Sequence, residues 1–171
     1  MVVSDVDKEP YTVREDYENK QQAANILGSI NAMYVRLIKH LKQNHMHGIW
    51  GKNITYLANN YNPDVLGEHI PWSTDYTSYV RNKGTKIRMC LRTAKDRNKF
   101  HDMNTLRFVA LHELSHMMTT TYGHKKDFWE AFKFILIEAS KIGEIQLVRY
   151  KDAPQPYCGI SITSNPAFDD K

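Results

Sequence analysis

"LHELSHMMTTTYGHKKDFW", residues Leu111 to Trp129, holds the five letters on which the reading of this chain turns. In HELSH, His112 and His116 stand four apart, one helical turn in height and about 40° in direction. Two imidazoles placed in this way can offer nitrogens to one point in space. Glu113 lies one step round, within reach of a water at that point without being a ligand itself. Zinc hydrolases use this pattern because the metal lowers the pKa of water toward about 7 and the carboxylate takes the proton. A catalytic zinc normally has three protein ligands, so HELSH alone is incomplete.

The surrounding residues say where HELSH sits. Asp102 or Asn104 can cap a helix beginning near Thr105, with Leu106, Val109, Ala110 and Met117 on its apolar face. The β-branched run Thr119-Thr120-Thr121, followed by Tyr122 and Gly123, predicts its end. A second helix is expected from Lys125 to Ile142, with Phe128, Trp129, Phe132, Ile135, Leu136 and Ala139 on a broad apolar face and Gly143 as its stop. The third ligand is open at this point. The spacing HExxHxxGxxH is excluded, since Thr119 and Tyr122 occupy its glycine and histidine places. His124 can return to the metal once the chain has turned at Gly123, and Glu130 or Glu138 could serve from the second helix. Asp127 fits better as a charge at that helix's N-terminus.

Upstream, Ala23, Ile26, Leu27, Ile30, Met33, Leu37, Ile38 and Leu41 recur at three- and four-residue spacing. They predict a long helix from Lys20, ended by Gly48, with His45-Met46-His47 as a frayed end. Residues 50 to 75 carry turn signals and one short element without a clear type. Thr77 to Val80 and Thr85 to Arg92 read as a hairpin turning at residues 81 to 84. Its second arm sets Ile87, Met89 and Leu91 against Lys86, Arg88 and Arg92. Residues 146–150 and 159–162 look extended. Residues 1–18, with six acids against Lys8 and Arg14, read as a loosely ordered tail, leaving 19–171 as one domain.

Composition sets the limits. The chain has 171 residues, 42% hydrophobic and 25% charged, enough for one domain with a core. No apolar run approaches the roughly 20 residues of a membrane span. The N-terminus lacks a secretory leader, and Cys90 and Cys158 make no disulfide framework, so an intracellular, reduced chain is expected. A disulfide between them would weaken that expectation. Net charge is +4, but residues 81 to 99 hold Arg81, Lys83, Lys86, Arg88, Arg92, Lys95, Arg97 and Lys99 against Asp96 alone. Such a stretch is either a solvated hairpin or a surface for nucleic acid. Tyr122, Tyr150 and Tyr157 are candidates for steadying an oxyanion.

HELSH, Gly123-His124 and Phe128-Trp129 together resemble the WLM and SprT-like (Spartan-type) zinc metallopeptidases. The N-terminal helix and the closing "YCGISITSNPAF" are similar to small WLM-type metallopeptidases of large DNA viruses. The resemblance implies an α+β, single-domain zincin-like fold and one Zn2+ held by His112, His116 and His124. It also implies Glu113 as general base and endoproteolysis of proteins on DNA, crosslinked ones above all. Arg81, Lys83, Lys86, Arg88 and Arg92 would then be the residues to meet DNA. The alternatives are a peptidase for free proteins or peptides, and a zincin-fold binding module without proteolysis, against which the intact Glu113 argues.

Overall fold

The computed structural model describes residues 1–69, 78–81, 86–119 and 123–169, the backbone alone at 78–81. Its centre is α3, Met103–Met118, the helix that carries HELSH. Asp102 caps it, accepting from the Thr105 amide at 3.0 Å and the Thr105 hydroxyl at 2.7 Å. Leu106, Ala110, Leu111, Leu114, Met117 and Met118 are all inaccessible to solvent. Burial on several faces marks a helix inside the molecule rather than on its surface. The helix stops at Met118, where Thr119 is extended, earlier than the glycine at 123 suggested.

Three helices pack around it. α1, Lys20–Asn44, buries Ala23, Leu27, Ile30, Met33, Tyr34, Leu37 and Leu41, the stripe expected from their spacing. Tyr34, fully buried, donates its hydroxyl to the Ala110 carbonyl at 2.5 Å, tying α1 to α3 one turn before Glu113. α2, Gly51–Asn60, is the element that could not be typed from sequence. Only Gly51, Ile54 and Leu57 of it are buried, too short an apolar pattern to declare itself. Its Asn53 donates to the Met118 carbonyl at 2.8 Å, satisfying one of the orphan acceptors at the end of α3. α4, Lys126–Lys141, places Phe128, Phe132, Ile135, Leu136 and Ala139 in the core, as expected. Glycine at 143, with φ +77°, ends it.

The sheet is small. β3 (Leu66–Glu68), β4 (Ser78–Arg81) and β5 (Lys86–Met89) run in the order β3-β5-β4. β3 pairs parallel to β5, and β4 pairs antiparallel to it, from Ser78 opposite Met89 to Arg81 opposite Lys86. The expected hairpin arms are therefore present; Arg81, expected in the turn, is paired in β4, and residues 82–85 lie outside the described residues. Ile87, Met89 and Leu91 are fully buried, which is what the alternation required.

Two expectations are corrected. Residues 1–18 are not a loose tail: β1 (Val2–Val3) and β2 (Pro10–Tyr11) pair antiparallel, and Tyr11 is fully buried. Asp7 organises this segment, accepting from Asn31 at 2.9 Å, from the Tyr11 hydroxyl at 2.5 Å and from the Glu9 amide at 3.2 Å. The segment crosses α1 at Gly28, where a Cβ would sit 2.2 Å from the Ser4 hydroxyl. The cysteines are not reduced either. Cys90, just after β5, is disulfide-bonded to Cys158.

Cys158 stands in the turn of a C-terminal hairpin, β6 (Gln155–Tyr157) and β7 (Ile160–Ile162). Cys158 and Gly159 both have positive φ, as a tight two-residue hairpin turn requires. The bond closes a separation of 68 residues and fixes this hairpin to the sheet. Removing it by Cys90→Ala with Cys158→Ala is expected to cost about 2–4 kcal/mol in urea unfolding, chiefly through the freer unfolded chain. Reductant should lower the wild type to the level of the double variant and leave the variant unchanged. Equal stability of wild type with and without reductant would show that the bond carries no such load. Among the described residues no helix is long and apolar enough to cross a membrane.

Candidate metal centre

HELSH sits in the last two turns of α3, so His112 and His116 project from one face. After the three residues at 120–122, which lie outside the described set, Gly123 has φ +79°, a backbone state that favours glycine. His124 follows at once and turns back. Its Nε2 lies 3.1 Å from His112 Nε2 and 3.1 Å from His116 Nε2. The turn is held from the next helix: Trp129 Nε1 donates to the His124 carbonyl at 3.0 Å. Phe128, fully buried, stacks on His116 with centroids 4.2 Å apart and meets His112 edge-on at 5.0 Å. Rotamers packed this tightly leave the rings little freedom to turn away.

Three converging Nε2 atoms are a poor hydrogen-bond arrangement. A neutral imidazole nitrogen carries either a proton or a lone pair, so His124 Nε2 cannot satisfy both neighbours well. One cation at the common centre would satisfy all three lone pairs. Tetrahedral zinc with Zn–N of about 2.0–2.1 Å sets its ligands roughly 3.3 Å apart, close to the separations seen. The donor set therefore fits a divalent metal of zinc's class. Partial desolvation of the ring, and then the neighbouring His112, hold the His124 imidazole below its ordinary pKa, although Glu113 pulls the other way. A lowered value favours the neutral form, which is the ligating one.

Glu113 is buried, 3% exposed. Its Oε1 lies 3.2 Å from His112 Nδ1, which is the protonated nitrogen when Nε2 is the ligand. Among the described residues its Oε2 is buried without a hydrogen-bond partner. An orphaned carboxylate oxygen beside a metal-ligand cluster is unusual in a folded interior, where polar atoms are nearly always satisfied. Glu113 lines a cleft of about 270 Å³. Phe108, Trp129 and Phe132 from the helices form one wall, and Tyr157, Ile160 and Ile162 of the C-terminal hairpin form the other.

The remaining candidates separate clearly. Glu130 is exposed and lies 3.7 Å from Lys126, and Glu138 is bound elsewhere, to His40, His45 and Lys141. Neither belongs to the His112–His116–His124 cluster. Burial opposes ionisation of Glu138, but hydrogen bonds from Lys141, His40 and His45 outweigh it and hold the pKa at about 2. Tyr157 lines the cleft, yet its hydroxyl donates to the Cys90 carbonyl at 2.7 Å, so its one proton is already committed. Tyr150 is buried against Phe108. Tyr122 lies outside the described residues.

The basic stretch turns partly inward. Arg92 is 2% exposed, with Nε 2.7 Å from Glu68 Oε2. Arg88 is half-buried and donates to the Val65 carbonyl at 3.0 Å. Neither reaches out to a polyanion. Lys86 stays exposed, as do Lys95, Arg97 and Lys99. Lys83 lies outside the described residues, as does the side chain of Arg81. Sequence reasoning named Tyr157 but missed the rest of the far wall, since nothing in Ile160 to Pro166 signals that it returns to face α3.

A model of the WLM domain matches residues 56–151. An uncharacterized protein of Acanthamoeba polyphaga mimivirus is 31% identical over 162 residues, covering 94% of this chain and 81% of that protein. An uncharacterized protein of Invertebrate iridescent virus 6 is 27% identical over 135 residues, covering 78% of this chain and 70% of that protein. The crystal structure of Wss1 from Saccharomyces cerevisiae shares the fold, with a TM-score of 0.58 at 22% identity, over 82% of this chain and 96% of that one. With its mixed arrangement of helices around a small sheet and more than half its length matched by the domain model, the chain belongs to the WLM-domain family.

Proposed function

We propose that this chain is a zinc-dependent endopeptidase of zincin type, acting on proteins held on or crosslinked to DNA. The observation that carries the chemical part is the meeting of three imidazole nitrogens beside a buried, cleft-lining carboxylate, one oxygen of which has no hydrogen-bond partner among the described residues. His112, His116 and His124 would hold one Zn2+. Zinc there would supply a Lewis acid for the scissile carbonyl and a lowered pKa for water.

The chain's own residues would do the rest. Glu113 Oε2 takes the proton of the attacking water and later gives it to the leaving nitrogen, so the carboxylate ends as it began. His112 Nδ1 holds the other carboxylate oxygen and so fixes the plane of the carboxylate. The apolar walls exclude bulk water and receive a side chain flanking the cut bond. Phe128 and Trp129 hold the three imidazoles in place, so that little reorganisation is needed on binding.

The nucleic-acid part rests on membership of the family and on the exposed Lys86, Lys95, Arg97 and Lys99. Action inside a cell is part of this reading, because the DNA is there, although the Cys90–Cys158 disulfide weighs against a reducing compartment. The inward turn of Arg88 and Arg92 favours a second reading, a peptidase for free proteins. One substrate protein, offered free and crosslinked to single-stranded DNA, separates them. The crosslinked form should be cut several-fold faster, and the advantage should fade as salt rises. Equal rates at low salt would remove DNA from the proposal and leave the free-protein reading.

A further inference from the structure

A second set of metal-ligating side chains lies away from HELSH, where α1 ends against α4. His40 is in the penultimate turn of α1, and His45 is its C-cap, with φ −132° and ψ 7°. Leaving the helix at that residue swings His45 back over His40. Both Nε2 atoms then reach the same oxygen of Glu138 on α4, at 2.9 Å from His40 and 2.6 Å from His45. We propose that His40, His45 and Glu138 form a second divalent-metal site, suited to Zn2+, which pins the end of α1 to α4.

Four features support a cation rather than hydrogen bonds alone. Two imidazoles and one carboxylate are a zinc donor set, and opening the two N···O edges by about half an ångström admits a tetrahedral ion. Lys141 donates to Glu138 Oε2 at 2.7 Å, fixing the carboxylate through its outer oxygen and leaving Oε1 for a ligand. The C-terminal end of a helix carries partial negative charge and favours cations, and this site sits on the C-terminus of α1. Finally, Phe134 meets the His45 ring edge-on at 5.0 Å and stacks on Trp50 at 5.0 Å, giving the site an apolar wall. The side chains of His40 and His45 are 21% and 31% exposed, which leaves a fourth position open to water.

One local bond must change on loading. The Asn44 amide nitrogen now donates to His40 Nδ1 at 3.1 Å and to the His40 carbonyl at 2.9 Å. A half-turn of that amide offers its oxygen to Nδ1–H, the tautomer that frees Nε2 for metal, and gives up the bond to the carbonyl.

The test is the number of Zn2+ ions bound by the metal-stripped full chain, measured by titration calorimetry with Zn2+ alone. Wild type should bind two, His116→Ala one, His45→Gln one, and the double variant none. Zn2+ should also raise the melting temperature of His116→Ala, in which the cluster at Glu138 is intact. A single ion in wild type with none in His116→Ala overturns the proposal and leaves a hydrogen-bonded cluster. An unchanged count in a folded His45→Gln overturns it too. If that variant does not fold, His116→Ala decides alone. Failure of the HELSH centre would look different: His116→Ala would match wild type with one ion, and His45→Gln would bind none.

Discussion

Glu113→Gln is expected to lower kcat/KM by about 10²–10⁴-fold while leaving zinc content and melting temperature close to wild type. The substitution keeps the side-chain volume at a position 3% exposed, so the core around α3 is undisturbed. It also keeps an oxygen to accept from His112 Nδ1, the contact now made by Oε1. What it removes is a carboxylate able to take a proton at the oxygen that has no partner among the described residues. Cleavage assays beside metal analysis of the same preparation check this. A folded, zinc-loaded variant cutting at a third of the wild-type rate would place the general base elsewhere.

His124→Ala should act on the metal before it acts on the chemistry. Losing even an outer-shell partner of a ligand typically costs 10–100-fold in affinity, so losing one of three ligands should cost at least about 100-fold. The fold should tolerate it, because His124 is exposed and the tie from Trp129 reaches its backbone carbonyl, which alanine retains. The metal-free proteins should therefore melt alike, while the stabilisation conferred by added Zn2+ at the HELSH centre disappears from the variant. Glu130→Gln is the control, since that carboxylate is paired with Lys126 on the surface. Undiminished zinc affinity in His124→Ala together with a fall in Glu130→Gln would exchange their roles.

The parts of the structure that were legible in the sequence are those written over short distances. Asp102, three residues before Thr105, announced α3, and the alternation of Ile87, Met89 and Leu91 announced β5. His124 could be considered because it lies only eight positions after His116, which bounds how far it can stray. Charge misled wherever its partner was remote. The acids of residues 1–18 looked like solvent-facing groups, yet Asp7 accepts from Asn31, 24 positions away. Arg92 looked like surface for a polyanion, yet it is buried on Glu68, 24 positions before it. The cluster at Glu138 joins residues up to 98 apart, beyond the reach of any pattern in a helix or strand. Such pairings are decided by packing, which the order of letters does not display.

The cleft beside Glu113 divides along the chain in an informative way. The proposed ligands, the proposed general base and the helical wall all fall within residues 56–151, the part matched by the domain model. The opposite wall, Tyr157 and Ile160 to Pro166, falls after it. On the proposed reading, reaction and selection would be carried by adjoining but separate stretches of one polypeptide. Proteins that share the first stretch would then share a way of cutting. What they cut would be set in the second.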